Sequence, residues 1–172
     1  MSTDTPRAPL EESRIAAALS QYWRVSVVEL TQSTHEDLAK KISIGDAKNG
    51  DVIVANYQSA GRGRLDRTFD APESTALLFS LYLTPQRANK DWGFIPLLAG
   101  YSIADTLGKL GAGVEIKWPN DLLSADGHKL CGILLERTGD AIVVGIGANL
   151  VWHPDNIGRK VSDLRALGAT PP

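Results

Sequence analysis

The chain has 172 residues, 43% apolar and 22% charged, with a net charge of −2. That is enough for one domain with a core, and too acidic overall for a general nucleic-acid footprint. A single cysteine, Cys131, excludes an intrachain disulfide framework and fits a reducing compartment.

No apolar run reaches membrane-spanning length, and the first residues lack the apolar stretch of a signal peptide, so no membrane association and a cytoplasmic location are expected. Residues 1–10 are polar, carry two prolines, and read as a disordered tail before a folded unit over 11–172. From Glu11 onward Ile15, Ala16, Leu19 and Tyr22 recur at helical spacing, and residues 24–30 have the β-formers of a strand. Ser33 followed by Glu36 is a capping-box pattern, with Leu38, Ala39 and Ile42 as the helix face beyond it. Ser33, Thr34 and His35 are therefore expected at a helix N-terminus, where unpaired N–H groups suit a polar or anionic ligand. Plain capping explains the segment equally well.

Residues 52–57 read as a buried strand running into Gln58 and then Gly61-Arg62-Gly63-Arg64-Leu65-Asp66-Arg67. Glycine in an element interior costs roughly 1 kcal/mol against alanine, so this stretch is a loop. A loop that is pliant and tricationic asks for an anion to order it. A solvated arginine-rich turn is the plain alternative. Phe69, on the return arm, is expected to pin the loop to the core. Residues 77–83 form another strand, and 92–110 the longest helical pattern, with Pro96 in its first turn and Gly111 ending it.

A short strand over 114–117 leads into Trp118-Pro119-Asn120-Asp121, read as a polar turn in which Asp121 is suited to a magnesium ion or a ribose hydroxyl. Residues 124–128 make a hairpin tip, and 129–136 return as a strand with Gly132 inside it, a mark of close approach. Residues 141–148 are a further strand, followed by Asn149, and 162–165 hint at a helical turn in an irregular tail. No His, Cys, Asp and Glu spacing suggests a protein metal site, and no hydrolytic triad is evident.

In combination these motifs resemble the catalytic core of biotin–protein ligases, over about residues 24–167. The carriers are Ser33-Thr34, Gln58 with the Gly61–Arg67 loop, Lys117-Trp118-Pro119-Asn120-Asp121, the strand from Lys129 through Gly132 to Glu136, and Gly145-Ile146-Gly147-Ala148-Asn149. The resemblance implies an α+β fold, a mixed and mostly antiparallel sheet with helices packed on one face. It implies an enzyme that uses ATP, with Mg²⁺, to activate biotin as biotinyl-5′-AMP. The biotinyl group then passes to a lysine of a biotin carboxyl carrier domain, of acetyl-CoA or pyruvate carboxylase type.

By the same resemblance Ser33, Thr34 and Gln58 would contact the ureido ring, and Gly61, Arg62, Gly63, Arg64 and Arg67 would close over biotin and the adenylate phosphate. Lys129 would sit at the carboxylate and the new acyl phosphate, making Lys129, Arg64 and Arg62 the catalytic cations. Trp118, Asn120 and Asp121 would shape the nucleotide side, with Gly132 beside them, and Asn149 would lie near the ATP phosphates and their magnesium. The family's Ser-Thr-Asn reads Ser33-Thr34-His35 here. Family members continue into further helices and a small β-barrel cap beyond the point matching Leu167, so a shortened core with weakened transfer is expected. No DNA-binding helix-turn-helix precedes residue 24, and homodimerisation is left open. A lipoate or octanoyl ligase and a non-catalytic biotin-binding relative are the alternatives.

Overall fold

A computed structural model describes residues 8–65, 67–86, 88–155 and 158–170. Most of the expected N-terminal tail, and Asp66 of the Gly/Arg stretch, lie outside the described residues.

Seven strands form one sheet in the order β1-β2-β3-β7-β6-β5-β4. β1 (Arg24–Thr31) pairs parallel with β2 (Asp51–Gln58), which is antiparallel to β3 (Ala76–Leu83). β7 (Ala141–Asn149) lies between β3 and β6 (Lys129–Thr138), and β5 (Asp121–Ser124) and β4 (Val114–Lys117) complete the sheet by hairpins. The parallel pair needs a crossover, and α2 (Thr34–Ser43) supplies it. The helix expected near the N-terminus, α1, is short: Glu12–Ala18, with no buried residue, and Tyr22 lies beyond its end. The long helical pattern divides into a 3₁₀ turn, Asn89–Phe94, and α3, Ile95–Lys109, with Pro96 in the first turn of α3.

The class is as expected, but the helices do not share one face. Side chains alternate along a strand. Ile133, Ile146, Val144 and Ile142 therefore point to one side, where they join Leu107, Ala99 and Ile103 of α3 in the main core. Val143, one residue out of phase with Ile142 and Val144, packs with Leu38 of α2 and Ile53 on the other side. That second face also carries Gly132, Gly145 and Gly147, which are in register across β6, β7 and β3 with Gly147, Ser80 and Leu78 respectively. Because these residues are small, the sheet there leaves room above the backbone.

Candidate active site

The room is a cavity of about 190 Å³ on the α2 face. One water takes roughly 30 Å³, so the space suits an organic group. Its polar end is built by the parallel pair. Thr31 lies opposite Gln58, so the chain leaving β1 places Ser33 and Thr34 beside Gln58. The expected capping box is not made: Ser33 starts α2 without a side-chain cap. Instead the Thr34 N–H donates to Gln58 Oε1 at 2.8 Å, and the Thr34 hydroxyl to the same oxygen at 3.0 Å. With the Thr34 proton so committed, the Ser80 hydroxyl donates to Thr34 Oγ1, 2.8 Å away. These bonds orient the amide, so Gln58 Nε2 keeps its donors for the cavity, where Ser33 and Thr34 also lie.

The Gly/Arg loop closes over this end as a small hairpin held by its own hydrogen bonds. Phe69 N–H donates to Gly61 O at 2.9 Å, Gly63 N–H to Arg67 O at 2.7 Å, and Arg62 bridges Thr68. Gly61 permits the closure, because a Cβ there would collide with the Phe69 carbonyl. Phe69 is a pin, as expected. Its ring lies so close to Gly147 that a Cβ at 147 would sit 2.8 Å from Cε2.

Two of the loop's arginines already have partners. Arg62 grips Glu136 with two nitrogens, at 2.8 and 3.1 Å, and lies 3.8 Å from Glu36. Arg64 donates to Asn120 Oδ1 at 3.1 Å. Lys129 lies 2.5 Å from Asp121 Oδ1 and, through burial, has its pKa lowered against the opposing pull of Asp121. Asp121 is the first residue of β5 and not part of a turn, which aligns it with Gly132 and aims it at Lys129. Asn120 is in the turn, and its amide donates to Ile133 O at 3.0 Å.

A second cavity of about 550 Å³ adjoins the first and shares Arg67, Thr68, Phe69, Lys129 and Arg159 with it. This volume lies within the ~300–1,000 Å³ range of small-molecule sites. Asn149 lines this outer cavity, away from the inner one, and donates to Ser162 O at 3.0 Å. Gly61 lines neither cavity and acts through the loop's closure. Trp118 lines neither and is 65% exposed. Two residues here were not among those expected from the sequence: Arg159, which lines both cavities, and Glu136, which holds Arg62 and His35. The run Gly158-Arg159-Lys160 was the available signal for the first, while Glu136 drew attention only as a strand end. His35 is 3% exposed and donates from Nε2 to Glu136 Oε2 at 2.9 Å. Its Nδ1 is the buried side-chain atom left without a partner among the described residues. An unpaired buried polar atom costs about 1–3 kcal/mol.

A sequence model of the biotin/lipoate A/B protein ligase family matches residues 27–149. The biotin–[acetyl-CoA-carboxylase] ligase of Mycobacterium tuberculosis is 33% identical over 98% of this chain and 66% of its own length. The bifunctional ligase/repressor BirA of Escherichia coli is 40% identical over 75% of this chain and 41% of its own. Among solved structures, the biotin protein ligase of Aquifex aeolicus in complex with biotin and ATP superposes with a TM-score of 0.72 at 29% identity. It covers 82% of this chain and 59% of the other. The chain therefore spans less than two thirds of the length of each of these relatives.

Proposed function

This chain belongs to the biotin/lipoate A/B protein ligase family, and we propose that it is the catalytic core, over residues 11–172, of an ATP-dependent biotin–protein ligase. In this role it activates biotin as biotinyl-5′-AMP and transfers the biotinyl group to a lysine of a biotin carboxyl carrier domain. The observation that carries this is the place of Lys129, on the wall shared by a small inner cavity and a larger outer one. An inner acid and an outer nucleotide would meet there.

In the first step a biotin carboxylate oxygen bonds to the α-phosphorus of ATP, the bond from that phosphorus to the bridging oxygen breaks, and pyrophosphate leaves with the electron pair. Three anionic groups converge, so positioned cations lower the barrier by offsetting charge in the transition state. Lys129 serves the carboxylate and acyl phosphate, while Arg62, Arg64 and Arg67 serve the phosphate from the loop. Arg62 must exchange its carboxylates for phosphate, and Lys129 is partly released from Asp121 as the anion arrives. The closed hairpin of residues 61–69 keeps water from the mixed anhydride. In the second step the partner's lysine amine attacks the acyl carbon and AMP departs. The nucleophile comes from the carrier, which is why this chain needs none.

Ser33, Thr34 and Gln58 face the ureido ring in this scheme, Gln58 donating to its oxygen. Asn120, Asp121 and Gly132 border the seam, and Trp118 serves the nucleotide only if it moves. Magnesium would enter with ATP, held mainly by phosphate oxygens and water, with Asn149 the nearest protein amide in the outer cavity. We place the protein in the cytoplasm, with a carrier of acetyl-CoA or pyruvate carboxylase type as partner.

The test is pyrophosphate release from ATP with biotin, lipoate or octanoate, followed by mass measurement of a carrier domain. Biotin-dependent release and a biotinylated carrier are expected. Release with lipoate or octanoate alone would move the assignment to the other branch of the family. Biotin binding without release would leave a binding protein.

A further inference from the structure

Arg159 lines the inner and outer cavities alike, at the boundary they share with Lys129 and Arg67. The chain holds it there through Lys129 itself. Lys129 N–H donates to Lys160 O at 3.0 Å, Ser162 N–H donates to Lys129 O at 2.9 Å, and Lys129 bridges Val161 in parallel. Ser162 O also takes the Asn149 amide at 3.0 Å, so residues 160–162 run as a short extra strand beside the start of β6. Side chains alternate along such a segment. Arg159 and Val161 accordingly line the outer cavity, and Lys160 does not. The Arg159 side chain is half-buried, yet it makes no hydrogen bond or ion pair among the described residues. Asp70, the carboxylate of the outer cavity, is not paired with it. The Arg159 charge instead bears on Lys129, adding to burial in holding the pKa of that ammonium below its ordinary value. Two cations kept together, one of them without a counter-ion, favour an anion between them.

Resting on the ligase reading of this site, we infer that Arg159 binds the leaving group of the first step, its guanidinium taking β- and γ-phosphate oxygens of ATP in the outer cavity. In an in-line displacement the attacking and leaving oxygens lie on opposite sides of the phosphorus. The biotin carboxylate attacks from the inner cavity, so the pyrophosphate points outward. Arg62 and Arg64 line only the inner cavity. Of the described cations on the outer wall, Lys129 is tied to Asp121, which leaves Arg67 and Arg159 for the departing phosphates. As the bond from the α-phosphorus to the bridging oxygen breaks, its electron pair passes to that oxygen and negative charge grows on the pyrophosphate. A guanidinium placed there offsets charge that develops in the transition state. Its planar fork also matches two phosphate oxygens at once.

The experiment compares the full wild-type chain with Arg159→Gln, Arg159→Lys and Lys160→Gln. It reads biotin-dependent turnover of ATP, inhibition by inorganic pyrophosphate, and stopped-flow release of biotinyl-5′-AMP. Arg159→Gln should lower kcat/KM for ATP and weaken pyrophosphate inhibition by about 10–100-fold each, the loss of one charge-assisted bond. Adenylate release should stay within about twofold, because the adenylate no longer carries those phosphates. Lys160→Gln removes the same charge from outside the cavity and should change each quantity by less than about twofold, since a solvated charge is screened. Unchanged pyrophosphate inhibition in Arg159→Gln, equal losses in Lys160→Gln, or adenylate release accelerated as much as inhibition weakens would each overturn the inference and leave the ligase reading standing. A wild type that releases no pyrophosphate with biotin would overturn both. Should Arg159→Gln fail to fold, Arg159→Lys decides. It keeps the charge without the fork, so pyrophosphate inhibition should weaken by about threefold or more, and unchanged inhibition would overturn the inference.

Discussion

Lys129 Nζ, on the wall shared by the two cavities, meets the Asp121 carboxylate of the inner cavity at 2.5 Å, with Gly132 close beneath them. The register Asp121↔Gly132 aims the carboxylate, and the glycine makes room for the lysine. A cation held this way is poised for an incoming anion without needing to travel.

Replacing Lys129 with alanine should reduce the rate of adenylate formation by about 10²–10³-fold, the usual loss when one preorganised charge at a reacting centre is removed. ATP affinity should change by no more than about tenfold, because the lysine serves mainly charge that develops during reaction. Pyrophosphate release measured against nucleotide titration separates the two. Equal losses in both would make Lys129 an ordinary nucleotide contact.

Arg64 is tied only to the Asn120 amide oxygen, at 3.1 Å, and not to a carboxylate as Arg62 is, so it turns to a phosphate more readily than Arg62. Arg64→Gly removes one charge-assisted bond of about 1.5–3 kcal/mol, so bound adenylate should escape roughly 10–100-fold faster. Stopped-flow release of biotinyl-5′-AMP checks this, and an unchanged off-rate would take the phosphate role from Arg64.

Gly147→Ala would put a methyl group 2.8 Å from the Phe69 ring. The ring must move, and the loop it pins must move with it. Overpacking of this kind costs about 1–3 kcal/mol. Both a lower urea midpoint and weaker biotin binding are expected, whereas Gly108→Ala, in α3 with nothing within 4 Å of the added methyl group, should not weaken biotin binding. A stable variant with normal affinity would show that Phe69 does not hold the loop.

Folding should also be linked to pH through His35. The unfolded chain titrates this group near 6.5 and the folded protein lower, because burial disfavours the charged ring. Below about pH 6.5 the unfolded state therefore binds the extra proton, and its stabilisation grows until the folded pKa is passed. Urea midpoints should fall between pH 7 and pH 5.5 more steeply for the wild type than for His35→Asn. Parallel curves would mean that the ring titrates normally.

The elements were largely legible in the sequence, because alternation marks strands and a 3.6-residue period marks helices. β2, β6 and β7 stand where their apolar runs predicted, and Pro96 and Gly111 bound α3. Local signals could equally nominate Gln58, the Gly/Arg loop and Lys129, since glycine next to arginine and a lysine opening an apolar strand are unusual by themselves. They could not pair groups distant in the chain. The hold of Glu136 on both His35 and Arg62 joins positions 35, 62 and 136, and only the strand register brings those together. The capping box failed for the same reason: Ser33 had a local role available, but a residue across the parallel pair redirected its neighbour. Which face each helix covers, and which nitrogen of His35 is left without a partner, were decided by the tertiary structure, because burial and hydrogen-bond competition depend on what the fold places nearby and not on what adjoins in sequence.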